Sequence, residues 1–102
     1  MARIIITSPA DADTAKMIAD LAASAGAFVA ERYNARLDSL YDRLSDFPEI
    51  GAPRPLLGPH VRISIISPYL VIYEYDKAAD TVTIMRVAHG RRKITPKFVR
   101  HK

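Results

Sequence analysis

The chain of 102 residues contains no cysteine. That absence excludes disulfides, thiolate nucleophiles and cysteine-ligated metals together; a reducing cytoplasm fits and is the expected location. Glycine is scarce. No two of Gly26, Gly51, Gly58 and Gly90 have the spacing of a phosphate loop or a dinucleotide fingerprint. Long apolar runs are missing too: Ile4-Ile-Ile6 and Tyr69-Leu-Val-Ile-Tyr73 fall far short of the roughly 20 residues that cross a bilayer, so no membrane partner is expected. Met1-Ala-Arg-Ile4 runs directly into a strand-like segment, without the apolar region and cleavage site of a secretory signal. His60, His89 and His101 form no metal motif, and no carboxylates pair visibly at a strand end. Neither a metal, a cofactor nor paired-carboxylate chemistry is therefore expected.

What is present is the balance of a soluble globular protein, 49% hydrophobic and 25% charged. The length predicts a single domain over residues 1–102. A domain of this size buries only about two-thirds of its unfolded surface, so almost every apolar residue is needed for one core. Charge is unevenly distributed. Residues 1–51 carry five Lys/Arg against eight Asp/Glu, whereas residues 52–102 carry ten against three. From Arg86 onward there are seven cations and no acid. Such a bias predicts an anionic partner, either nucleic acid or an acidic protein surface, although a solvated basic tail has the same composition.

Arg3-Ile-Ile-Ile-Thr7 is short and β-branched and reads as a buried strand. Ser8 then serves as a helix cap, with Pro9 at the first helical position and Asp11 in the first turn. Ile18, Leu21, Ala22 and Ala25 recur on one helical face. After Gly26 a longer helix carries Val29, Tyr33, Leu37, Leu40, Leu44 and Phe47, and so short a connection predicts an antiparallel αα-hairpin. Pro48 ends it, and residues 48–59, with four prolines and two glycines, read as a loop without regular structure. Three strands follow: Val61–Ile65, Tyr69–Tyr75 and Thr81–Val87, with Pro68 at the first turn. The predicted order β-α-α-β-β-β gives an α+β fold, a helical hairpin packed on one face of a small antiparallel sheet, with the other face left free.

The residues that remain for chemistry are basic: Arg54, Arg62, Arg86, His89, Arg91, Arg92 and Lys93. An arginine within an apolar strand must reach solvent or a partner, because burying it unpaired is costly. Each is explained equally by a local ion pair, for Arg86 with Glu74, or by a concave cationic sheet face that grips phosphates or an acidic peptide. His89 has a side chain able to move a proton near neutral pH. Tyr69, Tyr73 and Tyr75 alternate on one strand face, where packing against the helices or base stacking would use them.

Leu44-Ser-Asp-Phe-Pro-Glu-Ile-Gly51, Pro53-Arg-Pro-Leu-Leu-Gly58, Val61-Arg62, Tyr69–Tyr73 and above all Ile84-Met-Arg-Val-Ala-His-Gly-Arg-Arg92 resemble, in this order, the ParE branch of the RelE/ParE toxin superfamily. The resemblance covers nearly the whole chain. It implies the toxin half of a type II toxin–antitoxin pair, neutralised by a ParD-like ribbon-helix-helix antitoxin whose acidic tail enters a groove between hairpin and sheet. ParE-like members poison DNA gyrase. RelE-like relatives instead cut messenger RNA on the ribosome, commonly with a C-terminal tyrosine or histidine, and an inactive homologue would only bind antitoxin. Here no tyrosine follows Tyr75, Phe98 stands where RelE-like proteins often offer one, and the loop carries Arg54 rather than a lysine cluster. The resemblance therefore implies gyrase inhibition, with Arg54, Arg62, Arg86, His89, Arg91 and Arg92 as target-binding candidates. Under the nuclease alternative, His89 would carry the proton and Arg62 and Arg91 would clamp phosphate, with His101 near the terminus.

Overall fold

The computed structural model describes residues 1–100. The elements run β1 (Arg3–Ile6), α1 (Ser8–Ala25), α2 (Ala27–Asp46), β2 (Ala52–Pro53), β3 (Val61–Ile66), β4 (Tyr69–Asp76), β5 (Thr81–His89) and α3 (Pro96–Val99). The strands form one sheet in the order β1-β5-β4-β3-β2. Three of its pairings are antiparallel, and β1 runs parallel to β5, from Arg3↔Thr81 to Ile6↔Ile84. The two long helices cover one face, as the α+β reading requires.

Several local expectations shift. β1 is an edge strand rather than a buried one: Ile4 packs on the core while Ile5 and Ile6 are partly exposed. The cap of α1 is Thr7, whose Oγ1 accepts from Ala10 N at 3.2 Å, so Ser8 and Pro9 occupy the first two helical positions. Gly26 alone joins the helices. Its φ of 94° is a conformation that L side chains rarely adopt, and its N–H closes the last turn of α1 on Ala22 O while its carbonyl accepts from Ala30 N. In α2, Leu37, Leu40 and Leu44 are buried with Ala30, but Phe47 lies past the helix end and is 62% exposed. The proline-rich stretch is not wholly irregular, since Ala52 and Pro53 pair with Ile63 and Arg62.

The largest departure is the second face of the sheet, which is not free. β3 and β4 pair so that Val61, Ile63, Leu70 and Ile72 point away from the helices. Leu57 from the loop before β3, together with Ile94, Phe98 and Val99 of the C-terminal segment, closes over them. Val71, Tyr73, Val82, Ile84 and Val87 face the hairpin. Tyr69 and Tyr75, partly buried, pack against the same core, as the packing reading of the tyrosine stripe expects.

One irregularity decides where the strand arginine goes. β4 and β5 pair as Tyr73↔Ile84 and then Ile72↔Arg86, so Met85 is an extra residue on β5. Val82 and Ile84 face the helices, and strict alternation would send Arg86 into that core. The extra residue turns Arg86 to the second face and returns Val87 to the first.

Candidate functional site

The cationic candidates do not share one surface. Arg62 opposes Tyr73 and therefore lies on the helix side of the sheet. Its Nη1 donates to Glu49 O and Gly51 O, both at 2.8 Å, and Nη2 stands 3.5 Å from the Glu49 carboxylate. Tyr73 braces the same loop: its hydroxyl accepts from Gly51 N at 2.9 Å and donates to Pro48 O at 2.8 Å. Gly51 tolerates no side chain, because a Cβ there would stand 2.6 Å from the Tyr73 hydroxyl. Arg62 is thus a fastener of the 48–53 loop.

Arg86 is committed in the same manner, but not to the expected Glu74. Its Nε and Nη2 donate to the Asp13 carboxylate at 2.7 and 2.8 Å, and Nη1 donates to Phe98 O at 3.0 Å. These bonds to Asp13 raise its pKa above the ordinary value. β1 stops at Ile6, which leaves the far end of β5 without a neighbouring strand, and the start of α1 fills that edge. Asp13 accepts there from Val87 N at 3.1 Å. Glu74 pairs instead with Arg100, at 2.8 Å.

His89, Arg91 and Arg92 do come together, in the exposed turn that leaves β5. His89 Nδ1 accepts from Arg91 N at 3.0 Å, and Arg92 N donates to His89 O at 2.9 Å. The His89 ring meets Tyr69 edge-on at 5.6 Å, as Tyr69 meets Tyr33. Arg92 stacks on Phe98, its Cζ 4.0 Å from the ring centroid, while Arg86 Cζ is 3.9 Å from the same centroid. Phe98 is therefore an aromatic mount for two guanidinium groups. Beside it opens a cleft of about 360 Å³ lined by Arg86, Arg92, Thr95, Lys97 and Phe98.

Arg54 stands apart, exposed in the loop after β2. It rims an apolar hollow of about 480 Å³ whose walls include Leu56, Ile63, Ile65 and Leu70. Ile65, 67% exposed, also borders a second hollow of about 340 Å³ between α2 and the end of β3, where Arg36 and Arg43 stand. This hollow lies between hairpin and sheet, with Leu40, Ile65 and Ile66 in its lining beside Arg36 and Arg43.

Reading residue types one strand at a time missed Asp13, Thr95 and Lys97. Asp13 carried no signal beyond a helical acid, and only the bulge at Met85 brings Arg86 to it. Among the described residues no three His, Asp or Glu side chains converge to hold a metal, and no helix is long and apolar enough to cross a membrane. His101 lies outside the described residues.

Comparison with known proteins bears on the whole arrangement. Residues 4–94 match the family model described as the ParE toxin of the type II toxin–antitoxin system parDE. The chain is 33% identical over 91 residues to toxin ParE3 of Caulobacter vibrioides, covering 89% of both sequences. In fold it is similar to a chain of the chromosomal ParDE toxin–antitoxin system from P. aeruginosa, with a TM-score of 0.72 at 20% identity, covering 87% of this chain and 96% of that one. A chain of the RelBE2 toxin–antitoxin complex from Mycobacterium tuberculosis gives a TM-score of 0.62 at 24% identity, over 86% and 96%.

Proposed function

Because this chain belongs to the ParE toxin family of type II toxin–antitoxin systems, we propose that it inhibits DNA gyrase in the cytoplasm when free. A ParD-like ribbon-helix-helix antitoxin holds it inactive, and its residues 1–102 act as one toxin domain. It works as a poison of another enzyme rather than through hydrolytic chemistry of its own.

The observation that carries this reading is the fate of the nuclease trio. A phosphodiester-cleaving site needs its proton carrier and clamps around one scissile phosphate. Arg62 lies four residues along β3 from the level of His89, roughly 13 Å, and two strands away. It is also spent on Glu49 O and Gly51 O. Phe98 has no hydroxyl to donate, and its ring serves as a mount for Arg86 and Arg92.

The antitoxin's acidic, amphipathic tail suits the groove at the end of β3. Two hollows meet there at Ile65, one with Leu56 and Arg54 and the other with Arg36 and Arg43. Folding of such a tail on binding would bury its apolar side while its acids meet the arginines.

The test is a pair of assays on toxin freed of antitoxin. Purified gyrase with supercoiled DNA should accumulate cleaved DNA, and translating ribosomes should leave messenger RNA intact. Codon-linked RNA cuts with unaffected gyrase would reverse the assignment. Silence in both, from folded toxin that still binds antitoxin, would mark an inactive antitoxin-binding homologue.

A further inference from the structure

We infer that the cleft beside Phe98 is a binding site for the phosphodiester backbone of duplex DNA, with Arg92, Lys97 and Thr95 as its contacts. The inference rests on the gyrase reading and specifies what this face of the toxin touches: the enzyme's DNA.

Commitment separates these residues from the strand and C-terminal arginines. Arg62, Arg86 and Arg100 each have a carboxylate partner, whereas Arg92 and Lys97 have none among the described residues. The lining of this cleft contains no acidic side chain; Asp13 and Asp20 lie in the neighbouring hollow on the other side of Arg92 and Phe98, where Asp13 is already spent on Arg86. Arg91 and Lys93, exposed in the same turn, extend the positive field outward.

The site is also arranged before any ligand arrives. Phe98 holds the Arg92 guanidinium over its ring, Cζ 4.0 Å from the centroid, which restricts a side chain that would otherwise lose much rotamer freedom on binding. Thr95 Oγ1 accepts from Phe98 N at 3.1 Å, and its own hydroxyl proton has no acceptor among the described residues. A planar fork, an ammonium and a hydroxyl donor around one hollow are the groups that phosphate oxygens accept from.

An acidic peptide is the competing occupant, and the surroundings disfavour it. Amphipathic protein segments anchor through apolar side chains, and the large exposed apolar residues all fall outside residues 86–100. Leu56 and Ile65 border the other groove, so the chain separates an apolar-and-basic surface from one whose exposed groups beside Phe98 are mainly cationic. The latter suits a backbone that offers charge without an apolar face.

The measurement is fluorescence anisotropy of free toxin on a labelled duplex of about 20 base pairs, from about 50 to about 200 mM salt. Affinity should fall log-linearly, with a slope of about −2 to −4 for a few neutralised phosphates. Lys97→Ala and Arg92→Gln should each reduce that slope by about 1. Lys77→Ala removes one charge at the opposite end of β5, roughly 25 Å away, and should leave it unchanged. Absence of binding at the lowest salt, equal loss in Lys77→Ala, or tighter binding to polyglutamate than to duplex would each overturn the inference. Running the gyrase cleavage assay on the same variants keeps the two readings apart. Cleavage that survives loss of DNA binding would sink this site and leave gyrase poisoning standing. DNA binding without gyrase-dependent cleavage would retain the site and remove the gyrase reading.

Discussion

Asp13 holds Arg86 by two parallel hydrogen bonds, 2.7 Å to Nε and 2.8 Å to Nη2, and the same carboxylate caps the open edge of β5 at Val87 N. Through Arg86 Nη1, which donates to Phe98 O, the pair joins α1, β5 and the C-terminal segment. The side chains are 13% and 18% exposed, so water compensates little when one is lost. Asp13→Ala should therefore destabilise the toxin by about 2–4 kcal/mol in urea unfolding. Replacing both partners, Asp13→Leu with Arg86→Met, should cost less than Asp13→Ala alone, since no charge is stranded. A double variant worse than the single would show that the pair contributes no such penalty.

The loop between α2 and β2 depends on a different pair. Tyr73→Phe removes the acceptor of Gly51 N and the donor to Pro48 O inside a buried setting. The expected loss is about 1–3 kcal/mol. Hydrogen exchange should report it first at Gly51, ahead of the strand amides. Gly51→Ala should do comparable damage by displacing the tyrosine ring, and uniform protection in either variant would refute this account of the loop.

Tyr41 sets an alkaline limit. Its hydroxyl is buried and forms no well-aligned hydrogen bond among the described residues, and burial pushes its pKa up from 10.0 to about 12 against the opposing pull of the nearby Thr14 side chain. The folded state keeps that proton to higher pH than the unfolded chain does. Its contribution is whole below pH 10 and is lost as pH rises toward 12. Tyr73 shifts in the same direction through its own burial, so it adds to the decline. Tyr41→Phe should flatten the stability–pH curve above pH 10 by about 1–2 kcal/mol. At neutral pH it should change stability little, because the neighbouring Thr14 hydroxyl keeps its own hydrogen bond to Ala10 O. An unchanged alkaline slope would place the titrating group elsewhere.

Much of this architecture was legible in residue order. The leucines of α2, the glycine joint at Gly26 and the alternating tyrosines of β4 each follow from periodicity and turn chemistry. What stayed hidden were effects of partners remote in sequence. Val61, Ile63 and Ile65 alternate as any half-buried strand does, and nothing local says which face has the helices. The second face needed a cover from residues 94–99, a segment whose charges made it look like a solvated tail. Arg62 and Arg86 looked alike as lone strand cations, yet one fastens a loop and the other meets Asp13 across 73 positions of sequence. The single clue was the broken alternation at Ile84-Met-Arg-Val87, where a bulge is the simplest way to keep an arginine out of an apolar core.

The two surfaces proposed for antitoxin and DNA predict opposite mutational responses. Ile65 is mostly exposed and sits where both hollows meet, so Ile65→Asp should leave folding intact while placing an anion amid the groove proposed for the acidic tail. Loss of an apolar anchor plus like-charge repulsion should weaken antitoxin binding at least about tenfold, or about 1.4 kcal/mol. Gyrase inhibition by the freed variant should be unaffected, because Ile65 and Arg92 line different clefts. In cells this variant should escape neutralisation and be toxic even with antitoxin co-expressed. Arg92→Gln should behave in the reverse sense, binding antitoxin normally and losing toxicity. If Ile65→Asp weakened both activities equally while remaining folded by circular dichroism, antitoxin and target would share one surface, and neutralisation would be direct occlusion of the target face.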